Sequence, residues 1–207
     1  MGQRKVTIQD IKQAKKDHKK IIMVTAYDYP FGLMADEAGV DIVLVGDSLG
    51  MVVMGLDGTV GVTMDQMIHH IQAVVRGCNA IVKAGIPVQG HIGLTPQTAS
   101  ALGGFKMQGK DAQAAKRIIE DARALEEAGV FSMILEAVPA PLGEIIAQTV
   151  SIPVIGIGAG SQVDGQVLVT HDMIGLFDKF VPKFVKQYAL VRPTIIDALK
   201  TFKEEVT

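Results

Sequence analysis

The chain has 207 residues, 48% of them hydrophobic, so it can bury a substantial core, and disorder over most of its length is excluded. Its 20 basic and 22 acidic side chains nearly cancel, and neither sign is gathered into a long block, which argues against a nucleic-acid partner and against a membrane surface. The expected partner is therefore a small molecule or another protein chain.

The cysteine count and the hydropathy pattern indicate in which cellular compartment the protein is expected. The single cysteine, Cys78, cannot form an internal disulfide, which favours the cytoplasm. The lysine-rich residues 1–20 lack the apolar stretch of a signal peptide, and no window reaches the roughly 18 uninterrupted apolar residues of a membrane helix. We expect a soluble cytoplasmic protein with a single domain over residues 1–207, of which the first 20 form a helical segment.

The predicted elements alternate between helices and strands along the chain. The N-terminal segment predicts an amphipathic helix with Ile8, Ile11 and Ala14 on one stripe. Apolar runs that end beside glycine, proline or charged residues predict six strands, at 21–28, 41–47, 86–91, 131–136, 152–157 and 166–171. Helices are predicted after the first two strands, at 31–38 and, beyond a glycine-rich loop, at 64–76.

A short sequence pattern recurs at the predicted junctions between a helix and the following strand. Alanine and glycine followed by valine or isoleucine recur around Gly39, Gly85 and Gly129, as expected for a helix end, a positive-φ glycine and a new strand. This alternation predicts a parallel sheet with helices outside it. A closed (β/α)8 barrel needs eight strands and about 250 residues. Six strands therefore mean an open sheet or a barrel without two of its units.

Four polar residues follow apolar runs at the ends of predicted strands. A strand buried on both faces first meets solvent and ligand at its carboxyl end, which is where Asp47, Ser48, His91 and Glu136 lie. Each has an ordinary structural explanation as well. Asp47 could cap a turn, Ser48 could bond to its own loop, Glu136 could pair with a lysine or arginine, and His91 could be a satisfied structural group.

Seven sequence blocks together resemble the ketopantoate hydroxymethyltransferase family. They occur in the family's order over nearly the whole chain: VTAYD (24–28), LVGDSLGM (44–51), GHIGLTPQ (90–97), GGFKMQG (103–109), LEAVP (135–139), IPVIGIGAG (152–160) and DGQVLVTHD (164–172). Any one block is a weak signal, but seven in one order are specific.

The resemblance implies an α/β fold of the (β/α)8 TIM-barrel type and a one-carbon transfer. The implied reaction moves a hydroxymethyl group from 5,10-methylenetetrahydrofolate to 3-methyl-2-oxobutanoate, giving 2-dehydropantoate for pantothenate synthesis. It also implies a divalent metal, usually Mg²⁺, and a large homo-oligomer, often a decamer. Carried over to matching positions, it makes Asp47 a metal and substrate ligand, Ser48 and His91 substrate-binding residues, and Glu136 the proton acceptor.

The chain departs from the family pattern near residues 80–81. The helix over 64–76 leads almost directly into a segment that matches the family's helix before its fifth strand, so the third and fourth strand region has no counterpart. That region of the family holds a second metal-binding aspartate, a lysine that contacts the keto acid and a glutamate near the metal. Either the gene product is truly shortened, or the natural protein has residues absent from this sequence.

The loop Gly156-Ile157-Gly158-Ala159-Gly160 resembles a phosphate cradle, but it lacks the Lys-Ser/Thr pair of a P-loop and the full dinucleotide fingerprint. We interpret its glycines as allowing close backbone packing.

Two rival functions remain open for the whole chain. One is a related Mg²⁺-dependent lyase that acts on carbon–carbon bonds of 2-keto acids, and the other is a catalytically dead assembly subunit.

Overall fold

Six strands form one sheet in the computed structural model, which describes residues 6–77, 88–95 and 106–207. The order across the sheet is β2-β1-β6-β5-β4-β3. The strands are β1 (Ile21–Thr25), β2 (Ile42–Leu44), β3 (Gln89–Gly93), β4 (Ser132–Glu136), β5 (Val154–Ile157) and β6 (Gly165–Leu168). Each strand overlaps one of the six predicted apolar runs, although several bounds differ. Residues 78–87, which include Cys78, Gly85 and the first two residues of the predicted run 86–91, lie outside the described part.

Helices lie between consecutive strands except between β5 and β6, where the described residues 158–164 contain no helix. The helices are α1 (Ile8–Lys16), α2 (Tyr29–Glu37), α3 (Leu49–Val52), α4 (Met64–Gly77), α5 (Ala112–Glu127), α6 (Ala140–Thr149), α7 (Thr170–Met173) and α8 (Val191–Val206). Among the described residues, no helix combines the length and apolar character required to cross a membrane.

The strand order is that of a barrel opened between β2 and β3. In an eight-stranded (β/α)8 barrel, consecutive strands are neighbours and the last strand pairs with the first. Here β6 neighbours β1, and β3 to β6 follow one another with parallel pairing. Within the described residues, β2 and β3 each have a single neighbour. The expected α/β barrel fold without its third and fourth strands is confirmed.

Alternate residues of the strands enter two hydrophobic clusters. In β4, Met133 and Leu135 pack into a cluster with residues of α5 and α6, whereas Ile134 joins Ile155 and Ile21 in a second cluster. Both faces of β4 are therefore buried, which explains why its sequence is a continuous apolar run rather than an alternating one. Only the last residue of such a strand can carry a functional side chain toward solvent.

Strand β3 ends at Gly93, two residues beyond the predicted 86–91, so His91 lies inside the strand and not at its end as the sequence suggests. Strands β1 and β6 end earlier than predicted because their polar ends turn into helices. Asp28, predicted in the first strand, is the N-cap of α2, and its Oδ1 accepts a hydrogen bond from the backbone N–H of Phe31 at 3.0 Å. Thr170 and His171, predicted in the last strand, begin the helical turn α7 instead, since the N–H of Asp172 and its successor bond back to the carbonyl of Val169. The prediction was wrong at these positions.

A half-buried ion pair joins α1 to the start of β6. Lys15 Nζ donates to Asp164 Oδ2 and to the carbonyl of Ala147, both at 2.7 Å, and the same Asp164 oxygen accepts from the N–H of Val154 at 2.9 Å. The two side chains are 14% and 16% exposed. One carboxylate thus holds the first helix and two strands together.

Replacing Asp164 with alanine should lower the free energy of unfolding by about 2 kcal/mol, because it leaves the Lys15 ammonium and the Val154 N–H without this acceptor. Urea denaturation measures the change. The matched control is Glu120→Ala, which breaks an exposed pair with Lys116 of 3.8 Å and should change stability by less than about 0.5 kcal/mol. Equal effects of the two variants would contradict the structural role of Asp164.

The chain divides into two compact units, Met1–Val167 and Leu168–Thr207. The second contains α7 and α8. Its residue Asp172 is 7% exposed, and its Oδ1 has no hydrogen-bond partner among the described residues. Burial raises the pKa of this carboxyl to about 6. The expectation of a single domain stays a prediction.

Asp172→Asn should raise the midpoint of thermal unfolding at pH 7.5 and have progressively less effect as the pH falls toward 4. The unfolded carboxyl has a pKa near 3.9, whereas in the folded protein the pKa is about 6, so the folded state binds the proton more tightly. The contribution of Asp172 to stability is therefore present below about pH 4 and is lost as pH rises through 6. A difference between variant and wild type that is the same from pH 4 to 7.5 would contradict this.

Candidate active site

Glu136, at the carboxyl end of β4, contacts His91 on the adjacent strand β3. Glu136 is the last residue of β4, and His91 lies in β3, two residues before the glycine paired with Glu136. The Nε2 atom of His91 is 3.1 Å from Oε2 of Glu136. The glutamate side chain is 16% exposed and the histidine 36%. Within the described part of the chain, this contact replaces the lysine or arginine pair that a half-buried glutamate commonly forms.

The backbone on both sides of Glu136 is tightly constrained. Its carbonyl accepts a hydrogen bond from Leu94 N–H at 2.9 Å, and the N–H of Ala137 donates to the carbonyl of Ile157 at 2.8 Å. Ala137 has φ of 49°, in the left-handed region that alanine rarely adopts, so the chain turns sharply directly after the carboxylate. Gly93 has φ of 89°, and a Cβ atom at that position would clash with the Glu136 carbonyl.

Asp47 and Ser48 lie in the loop after β2. The Ser48 Oγ atom is 2.7 Å from the phenolic oxygen of Tyr27, which follows β1. The carboxylate of Asp47 makes no hydrogen bond or ion pair with any described residue, and α3 begins without a side-chain cap. The turn-capping explanation therefore does not account for Asp47, and its oxygen atoms are available to a ligand.

Tyr27, which lies at the end of the first predicted strand, is buried and is bonded to helix α4. Its side chain is 1% exposed, and its backbone carbonyl lies 2.6 Å from Nδ1 of His70 in α4. His70 lies in the helix predicted over 64–76, and nothing in that helical pattern indicates a bond from His70 to Tyr27. No local sequence pattern predicts this hydrogen bond, because the two residues are 43 positions apart in the chain. Thr25, also expected near this strand end, is 2% exposed.

The four predicted site residues thus form two pairs rather than one cluster. Glu136 contacts His91 near one edge of the strand order, and Ser48 follows Asp47 in the loop after the strand at the other edge. No hydrogen bond or ion pair joins the two pairs among residues 6–77, 88–95 and 106–207. Glu136 ends β4, and Asp47 and Ser48 follow β2, so three of the four residues lie at the carboxyl ends of strands, while His91 lies inside β3. The carboxyl ends of the strands form the end of a (β/α)8 barrel that carries catalytic groups.

Comparison with known sequences agrees with the resemblance seen in the motifs. A sequence model of the family described as ketopantoate hydroxymethyltransferase matches residues 5–81 and 78–207, which together span nearly the whole chain. The chain belongs to this family. Ketopantoate hydroxymethyltransferases are enzymes, so a small-molecule substrate is expected at the strand ends.

Curated relatives give the same result over most of their own length. A 3-methyl-2-oxobutanoate hydroxymethyltransferase from Heliobacterium modesticaldum is 47% identical over 252 residues, covering 98% of this chain and 91% of that protein. A protein of the same name from Moorella thermoacetica is 46% identical over 256 residues, covering 100% of this chain and 95% of the relative.

Solved structures of low sequence similarity support the fold. The crystal structure of phosphonopyruvate hydrolase in complex with oxalate and Mg²⁺ has a TM-score of 0.52 at 12% identity, covering 96% of this chain and 86% of that one. A second structure of phosphonopyruvate hydrolase has a TM-score of 0.54 at 11% identity. At these identities the likeness concerns the fold alone.

The comparisons also locate the departure from the family pattern. The family model matches in two pieces that meet at residues 78–81. The alignment with the Heliobacterium protein runs over 252 positions although this chain has 207 residues, so at least 45 positions of the relative have no counterpart. This agrees with a segment of roughly forty residues missing near 80–81, within a range that the structure does not describe.

The donor set for a metal ion is small. Among the described residues, no group of three or more histidine, cysteine, aspartate or glutamate side chains could hold a metal. Of the two predicted site residues that carry a carboxylate, Glu136 contacts His91, whereas the Asp47 side chain has no hydrogen-bond or ion-pair partner within the described part of the chain. Mg²⁺ is commonly bound by one or two carboxylates together with waters and substrate oxygens, whereas Zn²⁺ needs three or four protein ligands. A site with one carboxylate from Asp47 therefore fits Mg²⁺ held jointly with a substrate.

The glycines of residues 156–160 serve close packing, as their sequence suggests. A Cβ at Gly156 would lie 2.8 Å from Cγ2 of Val163, and one at Gly160 would lie 2.5 Å from Cβ of Ala140. Gly160 also has φ of 85°. These contacts leave no need to invoke a phosphate to explain the loop.

Proposed function

We propose that this protein transfers a hydroxymethyl group from 5,10-methylenetetrahydrofolate to 3-methyl-2-oxobutanoate in pantothenate synthesis. The methylene carbon of the folate becomes bonded to C3 of the keto acid, the C3 hydrogen leaves as a proton, and water supplies the hydroxyl group. The products are 2-dehydropantoate and tetrahydrofolate. Membership of the family supports the reaction, and the single structural observation that carries it is the constrained Glu136 carboxylate beside His91.

Glu136 is the proton acceptor in this proposal. A carboxylate that removes a hydrogen from carbon must approach it closely and in one orientation, because proton transfer requires heavy atoms within about 3 Å. The positive φ of Ala137 and the hydrogen bond from Leu94 N–H to the Glu136 carbonyl supply that orientation. The His91 ring, 3.1 Å from the carboxylate, supports it from the neighbouring strand and can bind the keto acid or the product.

Asp47 and Ser48 bind the keto acid. The Ser48 hydroxyl donates to the substrate carboxylate, and the carboxylate of Asp47 would hold a divalent cation, Mg²⁺ being the best match to its oxygen ligand. When bound, the cation supplies Lewis-acid chemistry toward the oxygen atoms of the keto acid. Without a partner among the described residues, the Asp47 carboxylate needs no rearrangement to take up such a ligand.

The proposal includes a cytoplasmic homo-oligomer of up to ten subunits. Helix α8 supports the oligomer, since none of its residues is buried and four apolar side chains of one stripe are exposed: Ile195, Leu199, Phe202 and Val206. Static light scattering of the purified protein should give a mass several times 22.1 kDa. A monomer mass at micromolar concentration would overturn this part of the proposal.

The reaction is tested by mixing the purified protein with 3-methyl-2-oxobutanoate, 5,10-methylenetetrahydrofolate and Mg²⁺, and measuring 2-dehydropantoate by mass spectrometry. Product should form only when the folate is present. Conversion of the keto acid without folate would favour the carbon–carbon lyase. No conversion, together with no exchange of the C3 hydrogen in D₂O, would favour a catalytically dead assembly subunit and overturn the proposal.

A further inference from the structure

A buried tyrosine hydroxyl is hydrogen-bonded to a residue proposed to bind the substrate. The Tyr27 side chain is 1% exposed, and its phenolic oxygen lies 2.7 Å from Ser48 Oγ. A serine hydroxyl has three staggered rotamers and can rotate its proton freely, so alone it has no fixed direction. A hydrogen bond from a buried neighbour removes that freedom.

Helix α4 fixes Tyr27 from the other side. The Nδ1–H of His70 donates to the Tyr27 carbonyl at 2.6 Å. Helices α2 and α4 approach closely through glycines: a Cβ at Gly32 would lie 2.8 Å from the Val74 carbonyl oxygen, and one at Gly77 would clash with the Tyr29 carbonyl. The phenol is therefore held on a rigid support and does not depend on Ser48 for its position.

We infer that Tyr27 is a positioning residue that orients the Ser48 hydroxyl toward the carboxylate of the keto acid. This inference rests on the proposed function. Ser48 can donate its proton to a carboxylate only if its own oxygen accepts from Tyr27, so the phenol is the donor in the 2.7 Å bond. In the absence of that donor the serine hydroxyl can turn away from the substrate.

The test is a double-mutant cycle in keto-acid binding. Dissociation constants for 3-methyl-2-oxobutanoate are measured by calorimetry, with Mg²⁺ present, for wild type, Tyr27→Phe, Ser48→Ala and the double variant. Tyr27→Phe should weaken binding about 5- to 10-fold, in line with the loss of one hydrogen bond. Ser48→Ala should weaken it at least as much, and the double variant should bind no more weakly than Ser48→Ala, because Tyr27 acts through Ser48.

Tyr29→Phe is the matched control, since Tyr29 is two residues away and 50% exposed, and it should leave binding unchanged. If Tyr27→Phe does not fold, His70→Ala takes its place in the cycle, because it removes the hydrogen bond to the Tyr27 carbonyl and leaves the phenol present. It should weaken binding in the wild type and have no effect in the Ser48→Ala background.

Two kinds of result would overturn the inference, and they are distinguishable. Losses that multiply in the double variant, or no loss in Tyr27→Phe, would show that Tyr27 does not act through Ser48 while the proposed function stands. A folded wild-type protein that binds no 3-methyl-2-oxobutanoate would overturn the proposed function, and this inference with it.

Discussion

Glu136→Gln should slow the exchange of the C3 hydrogen of 3-methyl-2-oxobutanoate with D₂O by 100-fold or more. Glutamine keeps the size of the side chain and can still hydrogen-bond to His91, but it cannot accept a proton from carbon. General-base catalysis commonly contributes 10²- to 10⁴-fold, so the loss should be large even with the fold intact. Proton NMR in D₂O, with Mg²⁺ and without folate, measures the rate directly and isolates this step from the transfer of the one-carbon unit.

A second glutamate provides the control for this variant. Glu144 lies in α6, where its Oε1 accepts a hydrogen bond from Nε2 of Gln148 in the same helix at 3.4 Å. Glu144→Gln should exchange the hydrogen at the wild-type rate. Exchange at the wild-type rate in Glu136→Gln itself would remove Glu136 from the role of proton acceptor, whatever the family resemblance implies.

Much of the fold is readable from the sequence because its signals are local. A parallel strand buried on both faces must be apolar at every position, so the run before Glu136 is recognisable without any knowledge of its partners. The helix ends are equally local, since Gly39 and Gly129 take the positive φ that glycine alone adopts readily, at 74° and 87°. The position of Glu136 at the end of a strand follows directly from these two signals.

The errors at strand ends have a local cause as well. A threonine, an aspartate or a histidine after an apolar run can continue a strand or begin a helix, and the choice depends on which backbone group is available. Asp28 caps α2 by accepting from a backbone N–H three residues later, and Thr170 begins a helical turn. Composition near the junction does not separate these alternatives.

The contacts that organise the site depend on residues far apart in the chain. His91 and Glu136 are 45 positions apart, and Tyr27 and Ser48 are 21 apart, so each contact depends on the register and order of the strands. The motifs identify Asp47, Ser48, His91 and Glu136 as candidates, but they do not say which of them touch. Nothing in the sequence marks the strained alanine at position 137, because alanine has no preference for a positive φ.

The gap near residues 80–81 gives the sheet two edges that a complete barrel does not have. Open edges expose backbone hydrogen-bonding groups, and parallel strands are ordinarily covered on all sides. Within the described residues, β2 and β3 are these edges, and they are the strands that lead to Ser48 and contain His91. The family's third and fourth strands would lie between them, which is why the two pairs of site residues flank the place of the missing segment.

Gly93→Ala should lower the free energy of unfolding by at least about 2 kcal/mol and slow C3 hydrogen exchange about 10- to 100-fold. Two causes add. Gly93 has φ of 89°, where an alanine costs about 1–2 kcal/mol, and its new Cβ would clash with the carbonyl of Glu136. That oxygen also accepts the hydrogen bond from Leu94, so it can move only by displacing Glu136 itself. A small displacement of a catalytic group is enough for a loss of this size.

Gly129→Ala separates the two causes, since Gly129 has nearly the same φ, 87°, but nothing lies within 4 Å of an added Cβ. It should lose about 1 kcal/mol of stability from the backbone conformation alone and exchange hydrogen at the wild-type rate. Urea denaturation and the D₂O assay on both variants provide the comparison. If Gly93→Ala lost stability to the same extent as Gly129→Ala and kept full exchange, the strand-end backbone would not be what holds Glu136 in its catalytic orientation.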